Sequence, residues 1–317
     1  MNISTLQALH HSLHAWYAAR GRHDLPWRHT RNPYKIYLSE IMLQQTQVTT
    51  VLTRFYDPFL ARFPSLSSLS DAPLEAVLEQ WQGLGYYTRA RNLHACALTC
   101  KGFLPDSPEA LYALPGIGKT TAHAILCFAY RQAFPILEAN VKRILARLNA
   151  LEAPSEKELW EHAWALLDRQ NPFDYNQALM DLGALVCTAK NPSCATCPLS
   201  FTCKGIHTPT RFPAPKVKKT IPHHHRFALV LRQGDTLGLT QHTERFLHGL
   251  WGFPQSDTRP QGQHLGTVAH TYSHFKLTLE VFTCNASTEE ITWFSKEALA
   301  TLPLSSLERK ILMLVAF

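Results

Sequence analysis

Leu114-Pro115-Gly116-Ile117-Gly118-Lys119-Thr120-Thr121-Ala122 is the stretch from which the rest of the chain is read. Pro115-Gly116 makes a tight turn, and Gly116 and Gly118 permit positive φ and close backbone approach. From Lys119 onward, Ala122, Ile125, Leu126 and Ala129 recur on one helical face. Backbone N–H groups at such a helix start lie at the positive end of its dipole and suit a phosphate. Read alone, the same residues equally make a plain turn into a helix. A carboxylate, Glu138, follows just beyond that helix.

A chain of 317 residues buries a good core and implies two domains. Its net charge of +7 fits a polyanionic partner, and 17 His add positive charge as pH falls. Apolar runs fall short of transmembrane length, and Met1 to Arg20 lacks the charged-then-apolar layout of a signal peptide. Leu6, Leu9, Leu13 and Trp16 read instead as one face of an ordinary helix. Cys96, Cys100, Cys127 and Cys284 are scattered and read as small buried hydrophobes. The other cysteines crowd between 187 and 203, which without a signal peptide points to metal rather than disulfides. The expectation is a soluble intracellular protein that needs no membrane.

In chain order, Trp27 and Arg28 follow a helix-breaking Pro26. They read either as a packed ring with a solvated guanidinium or as the wall of a nucleobase pocket. Tyr34 to Val48 reads as a helix on which Glu40 has Ile36, Tyr37, Leu43 and Gln44 as its neighbours. Burial there would raise its pKa and keep it protonated, as a general acid requires. The amides of Gln44 and Gln45 reach bases or cap a helix end. Residues 49–80 read as two or three helices around Phe63-Pro64. Gly83 and Gly85 then present Leu84, Tyr86 and Tyr87 on a turn before Arg89 and Arg91, a pattern that suits a wedge between bases or a core aromatic with a basic face. In Phe134 to Arg147, Val141, Ile144, Leu145 and Leu148 make the buried stripe, with Lys142, Arg143 and Arg147 facing away. Glu138 sits before the first turn, where the dipole favours its charged form. Glu40 is thus pushed toward neutral and Glu138 toward charged, a division that suits acid-assisted cleavage of a glycosidic bond.

Residues 156–186 read as two more helices, with Asp181 near the end, and the cysteines follow as Cys187-x6-Cys194-x2-Cys197-x5-Cys203. Four thiolates so close together can hold one zinc ion. Their spacing also resembles the iron–sulfur loop of the endonuclease III superfamily, whose four cysteines carry a [4Fe-4S] cluster.

The hairpin stretch resembles a helix-hairpin-helix, which grips one DNA strand through its phosphates. With Leu25-Pro-Trp-Arg28, Ser39 to Val48, Gly83-Leu-Gly-Tyr-Tyr87, Asn140-Val-Lys-Arg143, Asp181 to Cys187 and the cysteine loop, the first 205 residues are similar to the catalytic part of the adenine DNA glycosylase family. The resemblance implies a mainly α region, a six-helix barrel with an iron–sulfur module, and an active site between them. It implies a monofunctional enzyme, since Thr120 stands where bifunctional relatives carry a Schiff-base lysine, and a hydroxyl forms no imine. The family has Asp-Gly-Asn where this chain has Glu138-Ala139-Asn140, and the longer side chain moves its oxygens outward by about one methylene. Asp181 stands where some relatives have Glu.

Residues 206–225 read as an extended, Pro- and Lys-rich linker that includes Lys216, Lys218 and Lys219, with His223 to His225 in a solvated loop. Beyond Arg226 the period becomes two, giving strands at 227–231, 236–241, 265–272, 274–283 and 291–294 and a closing helix at 304–314. Residues 226–317 resemble the small α+β Nudix-like domain of the same family, and the short span after Pro254 leaves no room for a Nudix catalytic helix. Tyr272-Ser273-His274 matches the family's Phe-Ser-His loop, which recognises 8-oxoguanine opposite the target adenine.

The expected function is excision of adenine mispaired with 8-oxoguanine or guanine in duplex DNA, by a monomer in the bacterial cytoplasm with the nucleoid. Glu40 would protonate the adenine and Glu138, held by Asn140, would stabilise the sugar cation. Trp27, Arg28 and Asp181 would wall the base pocket. Gln45, Leu84 and Tyr86 would fill the stack, and Gly116, Gly118 and Thr120 would meet the strand. A weakly catalytic lesion-binding protein, or a glycosylase for thymine or uracil opposite guanine, remains open.

Overall fold

A computed structural model of the chain describes residues 2–215, 220–243, 247–285 and 290–315; Lys216, Lys218 and Lys219 of the expected linker lie outside them. Helices come first: α1 (Ile3–Arg20), α2 (Pro33–Leu43), α3 (Val48–Arg54), α4 (Tyr56–Arg62), α5 (Leu66–Ser70), α6 (Leu74–Gln80), α7 (Thr88–Cys100), α8 (Pro108–Tyr112), α9 (Lys119–Phe128), α10 (Ala139–Asn149), α11 (Glu156–Leu166) and α12 (Pro172–Leu185). Their ends follow local chemistry. Asn2 caps α1, its side chain accepting from the Thr5 N–H at 2.8 Å. Asn32 caps α2 ahead of Pro33, whose missing N–H costs nothing at that position. The helix read across Tyr34 to Val48 stops at Leu43, and Gln45 then takes a left-handed φ of 57° before α3 begins.

The chain divides into two compact units: Met1–Tyr56, Ser65–Ser67 and Cys96–Val217 make one, and Asp57–Pro64, Ser68–Ala95 and Lys218–Phe317 the other. In the first unit, Leu9, Leu13 and Tyr17 of α1, spaced by four, pack with the Val141, Ile144, Leu145 and Leu148 stripe of α10 and with α11 and α12. Burying each such side chain contributes about 1.5–3 kcal/mol. A second cluster joins Ile36 of α2 to Ala124, Cys127 and Phe128 of α9. Asn176 fixes the segment between α9 and α10: its side chain accepts from the Ile136 N–H at 2.9 Å and donates to the carbonyls of Phe134 at 3.0 Å and Pro172 at 2.8 Å.

The second unit is built on a sheet of β1 (His223–Gln233), β2 (Thr236–Gln241), β3 (Trp251–Gly252), β4 (Gln255–Ser256), β5 (His264–Thr271), β6 (Lys276–Cys284) and β7 (Thr292–Ser295), with α13 (Lys296–Thr301) and α14 (Ser306–Leu312) after it. The order is β3-β2-β1-β6-β5, with β4 on β1 and β7 on β2. β1 runs parallel to β6, from His223 opposite Lys276 to Leu231 opposite Cys284. His223, His224 and His225 therefore belong to a strand rather than to the solvated loop read from the sequence, because their backbone groups find partners on β6. Residues from the helical part of the chain complete this unit. Gln82 donates to the carbonyls of Leu302 at 3.0 Å and Leu304 at 3.3 Å, the Tyr87 hydroxyl to Leu304 at 3.2 Å, and Arg91 to His248 at 2.8 Å.

Candidate active site

Within the first unit, α2 carries Glu40 and the segment entering α10 carries Glu138. Burial lifts the Glu40 carboxyl to a pKa of about 7; the nearby Glu138 charge adds to the rise and Arg28 opposes it. Glu138 is the N-cap of α10. Its Oε2 accepts from the Asn140 N–H at 2.9 Å and its Oε1 from the Val141 N–H at 3.0 Å. Burial nevertheless raises its pKa, against those two bonds and the Arg143 charge. The helix start does push Glu138 toward its charged form, as read from the sequence, but desolvation outweighs the cap, so the net shift is upward for both carboxyls.

Asn140 stands on the first turn of α10 against α12. A Cβ added to Gly183 would come 2.4 Å from the Asn140 Cβ, so the approach of the two helices at this point requires glycine. Arg143 donates from Nη2 to Asn140 Oδ1 at 2.8 Å and to the Gly183 carbonyl at 2.7 Å, and from Nε to the Cys187 carbonyl at 2.8 Å. Arg147, 3% exposed, donates to the carbonyls of Thr188 at 2.7 Å and Ala189 at 2.9 Å and to Cys187 Sγ at 3.3 Å. The expectation that Arg143 and Arg147 face away is thus wrong: the residues lie off the apolar stripe, but their guanidiniums fold onto the cysteine loop. Their role was missed in the sequence; the available signal was two arginines four apart on one helix face, just upstream of that loop.

Trp27 is buried with its ring edge-on to Tyr56 at 5.2 Å. Asp181 is fully buried, and its oxygens accept from Arg28 Nη1 and Nη2 at 2.8 Å each, from the Arg22 N–H at 2.8 Å and from Arg22 Nε at 2.7 Å. Burial works to raise its pKa, but the Arg28 and Arg22 bonds and charges win and hold it below the ordinary carboxylate value. With its acceptor sites taken, Asp181 acts by fixing two guanidiniums.

In the hairpin, Gly116 uses a φ of 74°, whereas Gly118 is at −86° and a Cβ there would meet nothing within 4 Å. The protein interior thus gives no reason for glycine at 118. Thr120 donates from its hydroxyl to the Leu137 carbonyl at 3.1 Å, one residue before Glu138. The Lys119 ammonium lies over the Trp160 ring, 4.1 Å from its centroid. Gln45, in its left-handed conformation, follows α2 by two residues.

Cys187, Cys194, Cys197 and Cys203 line one cavity of about 30 Å³ together with Arg147 and Ile206. All four are free thiols, and burial, then the neighbouring cysteines, push Cys197 up to about 11. Among the described residues, no three metal-binding side chains close to single-ion distances.

In the second unit, Leu84 is buried at 6% exposure while Tyr86, at a φ of 50°, is 50% exposed, with Arg89 over its ring at 5.4 Å. Tyr272 packs on His270 and Phe275 at the β5–β6 turn, which its N–H closes onto the Phe275 carbonyl at 2.9 Å. Ser273 and His274 stand exposed at the tip, 3.3 Å apart through Oγ and Nδ1.

A family profile described as HhH-GPD superfamily base excision DNA repair protein matches residues 38–169, and a NUDIX domain profile matches 226–314. An adenine DNA glycosylase of Buchnera aphidicola subsp. Schizaphis graminum (strain Sg) is 35% identical over 289 residues, covering 83% of this chain and 83% of that protein. An adenine DNA glycosylase of Buchnera aphidicola subsp. Baizongia pistaciae (strain Bp) is 46% identical over 197 residues, covering 60% of this chain and 56% of that one. Among solved structures, a thermostable thymine-DNA glycosylase superposes with a TM-score of 0.60 at 28% identity, covering 64% of this chain and 97% of its own. The helical region therefore has the helix-hairpin-helix glycosylase fold, and the sheet region is the small Nudix-like domain expected from the sequence.

Removing the Asp181 carboxylate leaves the Arg28 guanidinium buried without its counter-charge. Asp181→Ala is expected to lower unfolding free energy by about 3–5 kcal/mol, the range for breaking a buried ion pair from one side. Urea titration checks it, with Asp181→Asn as the variant that keeps shape and loses only charge. A loss below about 1 kcal/mol, the scale of a surface pair, would show that the clamp is not needed.

Proposed function

Because the chain belongs to the adenine DNA glycosylase family, base excision repair enzymes that hydrolyse N-glycosyl bonds, we propose that it excises adenine mispaired with 8-oxoguanine or guanine in duplex DNA, by hydrolysis without strand cleavage. The observation that carries this reading is the Glu40–Glu138 pair, in which burial first and the Glu138 charge second lift the Glu40 carboxyl to a pKa of about 7. Glu40 gives that proton to a ring nitrogen of the extruded adenine, making the base a better leaving group. Glu138, once ionised, stabilises the oxocarbenium-like sugar, and Asn140 and Arg143 hold it in place. Trp27 and the clamped Arg28 wall the base pocket.

The strand is held at the hairpin, where the open space beside Gly118 lets a phosphate approach the first N–H groups of α9. Thr120 has no amine, and its hydroxyl supports the backbone leading to Glu138, so no imine forms at that position. Within the second unit the half-exposed Tyr86, rather than the buried Leu84, is the side chain available to enter the stack left by the extruded base. Tyr272, Ser273 and His274 read the opposite base, with the two exposed tip residues making the contacts. In this reading residues 1–205 carry excision, and the C-terminal domain, which begins with β1 at His223 rather than at 226, carries lesion recognition. The protein works as a monomer with the bacterial nucleoid; among the described residues no helix is long and apolar enough to cross a membrane.

Cys187, Cys194, Cys197 and Cys203 hold a [4Fe-4S] cluster. The four cysteines line one shared cavity, and their x6, x2, x5 spacing is what supports a cluster over a single zinc. The cluster would supply structural cross-linking, pinning the loop that Arg143 ties to Asn140 and Arg147 holds through the Thr188 carbonyl. Purified protein is expected to be brown and to bind iron; a colourless, zinc-loaded, fully active protein would contradict this.

A second reading has one observation in its favour. Both Glu138 oxygens accept bonds from α10, so the chain could bind lesions and release adenine slowly. Single-turnover assays with saturating duplexes bearing adenine opposite 8-oxoguanine, adenine opposite guanine, and thymine or uracil opposite guanine decide among these. Adenine release without strand breaks, fastest opposite 8-oxoguanine and reduced about 100- to 10,000-fold in Glu138→Gln with binding retained, is the expected result. Release of thymine or uracil instead, or an unchanged rate in Glu138→Gln, would overturn the assignment.

A further inference from the structure

Cys96 and Cys100 lie apart from the cysteine loop, on the last turn of α7, and their Sγ atoms are 3.8 Å apart. They differ in access: Cys96 is fully buried, whereas Cys100 is partly exposed at the helix end. They also differ in acidity. The hydrogen bond between them raises the Cys96 thiol, with burial adding to it, and lowers Cys100, so that Cys100 is the sulfur that ionises. The buried Tyr37 hydroxyl of α2 faces Cys96, one helical turn before Glu40, so the pair touches the helix that carries the carboxyl.

We propose that Cys96 and Cys100 form a peroxide-responsive dithiol, in which Cys100 is oxidised first and Cys96 resolves it to an intrahelical disulfide. The Cys100 thiolate attacks one oxygen of hydrogen peroxide; the O–O bond breaks, and the departing hydroxide takes up a proton to become water. The Cys96 sulfur then attacks the sulfenic sulfur of Cys100, the S–S bond forms, and the hydroxyl leaves with the Cys96 proton as a second water. Two thiols are oxidised and one peroxide is reduced to two waters.

Residues four apart on a helix have Cα atoms about 6 Å apart, inside the range that disulfides span. Their Cβ atoms, about 5–6 Å apart, must close by about 1–2 Å. The last turn of α7 can supply that movement. Cys100 ends the helix, and Lys101 at a φ of 48° and Gly102 at 100° have already left helical geometry. The oxidised form thus has the final turn of α7 rewound.

A tryptic peptide from Asn92 to Lys101 contains Cys96 and Cys100 and no other cysteine, which separates their chemistry from that of the metal loop. The holoprotein is treated with hydrogen peroxide, its free thiols are alkylated, and that peptide is weighed. The expected result is loss of two hydrogens without alkylation, restored by dithiothreitol. Cys96→Ala is expected to stop at a sulfenic acid on Cys100 that dimedone traps, and Cys100→Ser to leave Cys96 as an unmodified thiol. Full alkylation of both sulfurs at a peroxide dose that oxidises free glutathione would overturn the proposal. So would a dimedone adduct on Cys96 in Cys100→Ser.

Discussion

Desolvation of two carboxyls inside one helical unit is the constraint on which the rest of the site depends. Glu40 and Glu138 are both raised, chiefly by burial, and the Glu138 charge makes ionisation of Glu40 harder still. Glu138 is the better placed to hold a charge, because two α10 N–H groups and the Arg143 charge support it. The division of labour between acid and carboxylate therefore comes from unequal support in a shared low-dielectric site. Asp181 pairs with Arg28 and Arg22 and balances their charge inside the unit.

Helix α10 is where the requirements meet. Its first residue follows Glu138, its apolar stripe packs the core of the unit, and its two inward arginines hold the cysteine loop by main-chain carbonyls. The unusual Glu138-Ala139-Asn140 sequence fits this helix in a definite way. The extra methylene of Glu138 lets the side chain fold back, so that each oxygen takes one N–H of the first turn. Both oxygens are thereby engaged by the helix.

How much of this was legible in the sequence differs from residue to residue. The hairpin turn, the helix after it and the apolar setting of Glu40 follow from spacing and turn chemistry, which are local. The net direction of the Glu138 shift does not follow from the sequence, because a helix start is visible there whereas burial is not. Arg143 and Arg147 were misread for a related reason: their partners are backbone carbonyls, which no side-chain pattern announces. His223 to His225 joined a strand because β6, some fifty residues later, supplied a parallel neighbour. Nor does local pattern show that residues 68–95 cluster with the C-terminal sheet; that rests on bonds such as Tyr87 to Leu304.

The central claim is that Glu40 acts as the proton donor because the fold keeps it protonated. Its most direct test is the pH dependence of single-turnover adenine release with DNA saturating. A donor with a pKa of about 7 must hold its proton to work, so the rate should be highest below that value and fall as pH rises through it. The expected slope approaches about tenfold per pH unit, and the fall should disappear in Glu40→Gln, which is slow throughout. A wild-type rate that stays flat through neutral and alkaline pH, or a fall that persists unchanged in Glu40→Gln, would contradict the account.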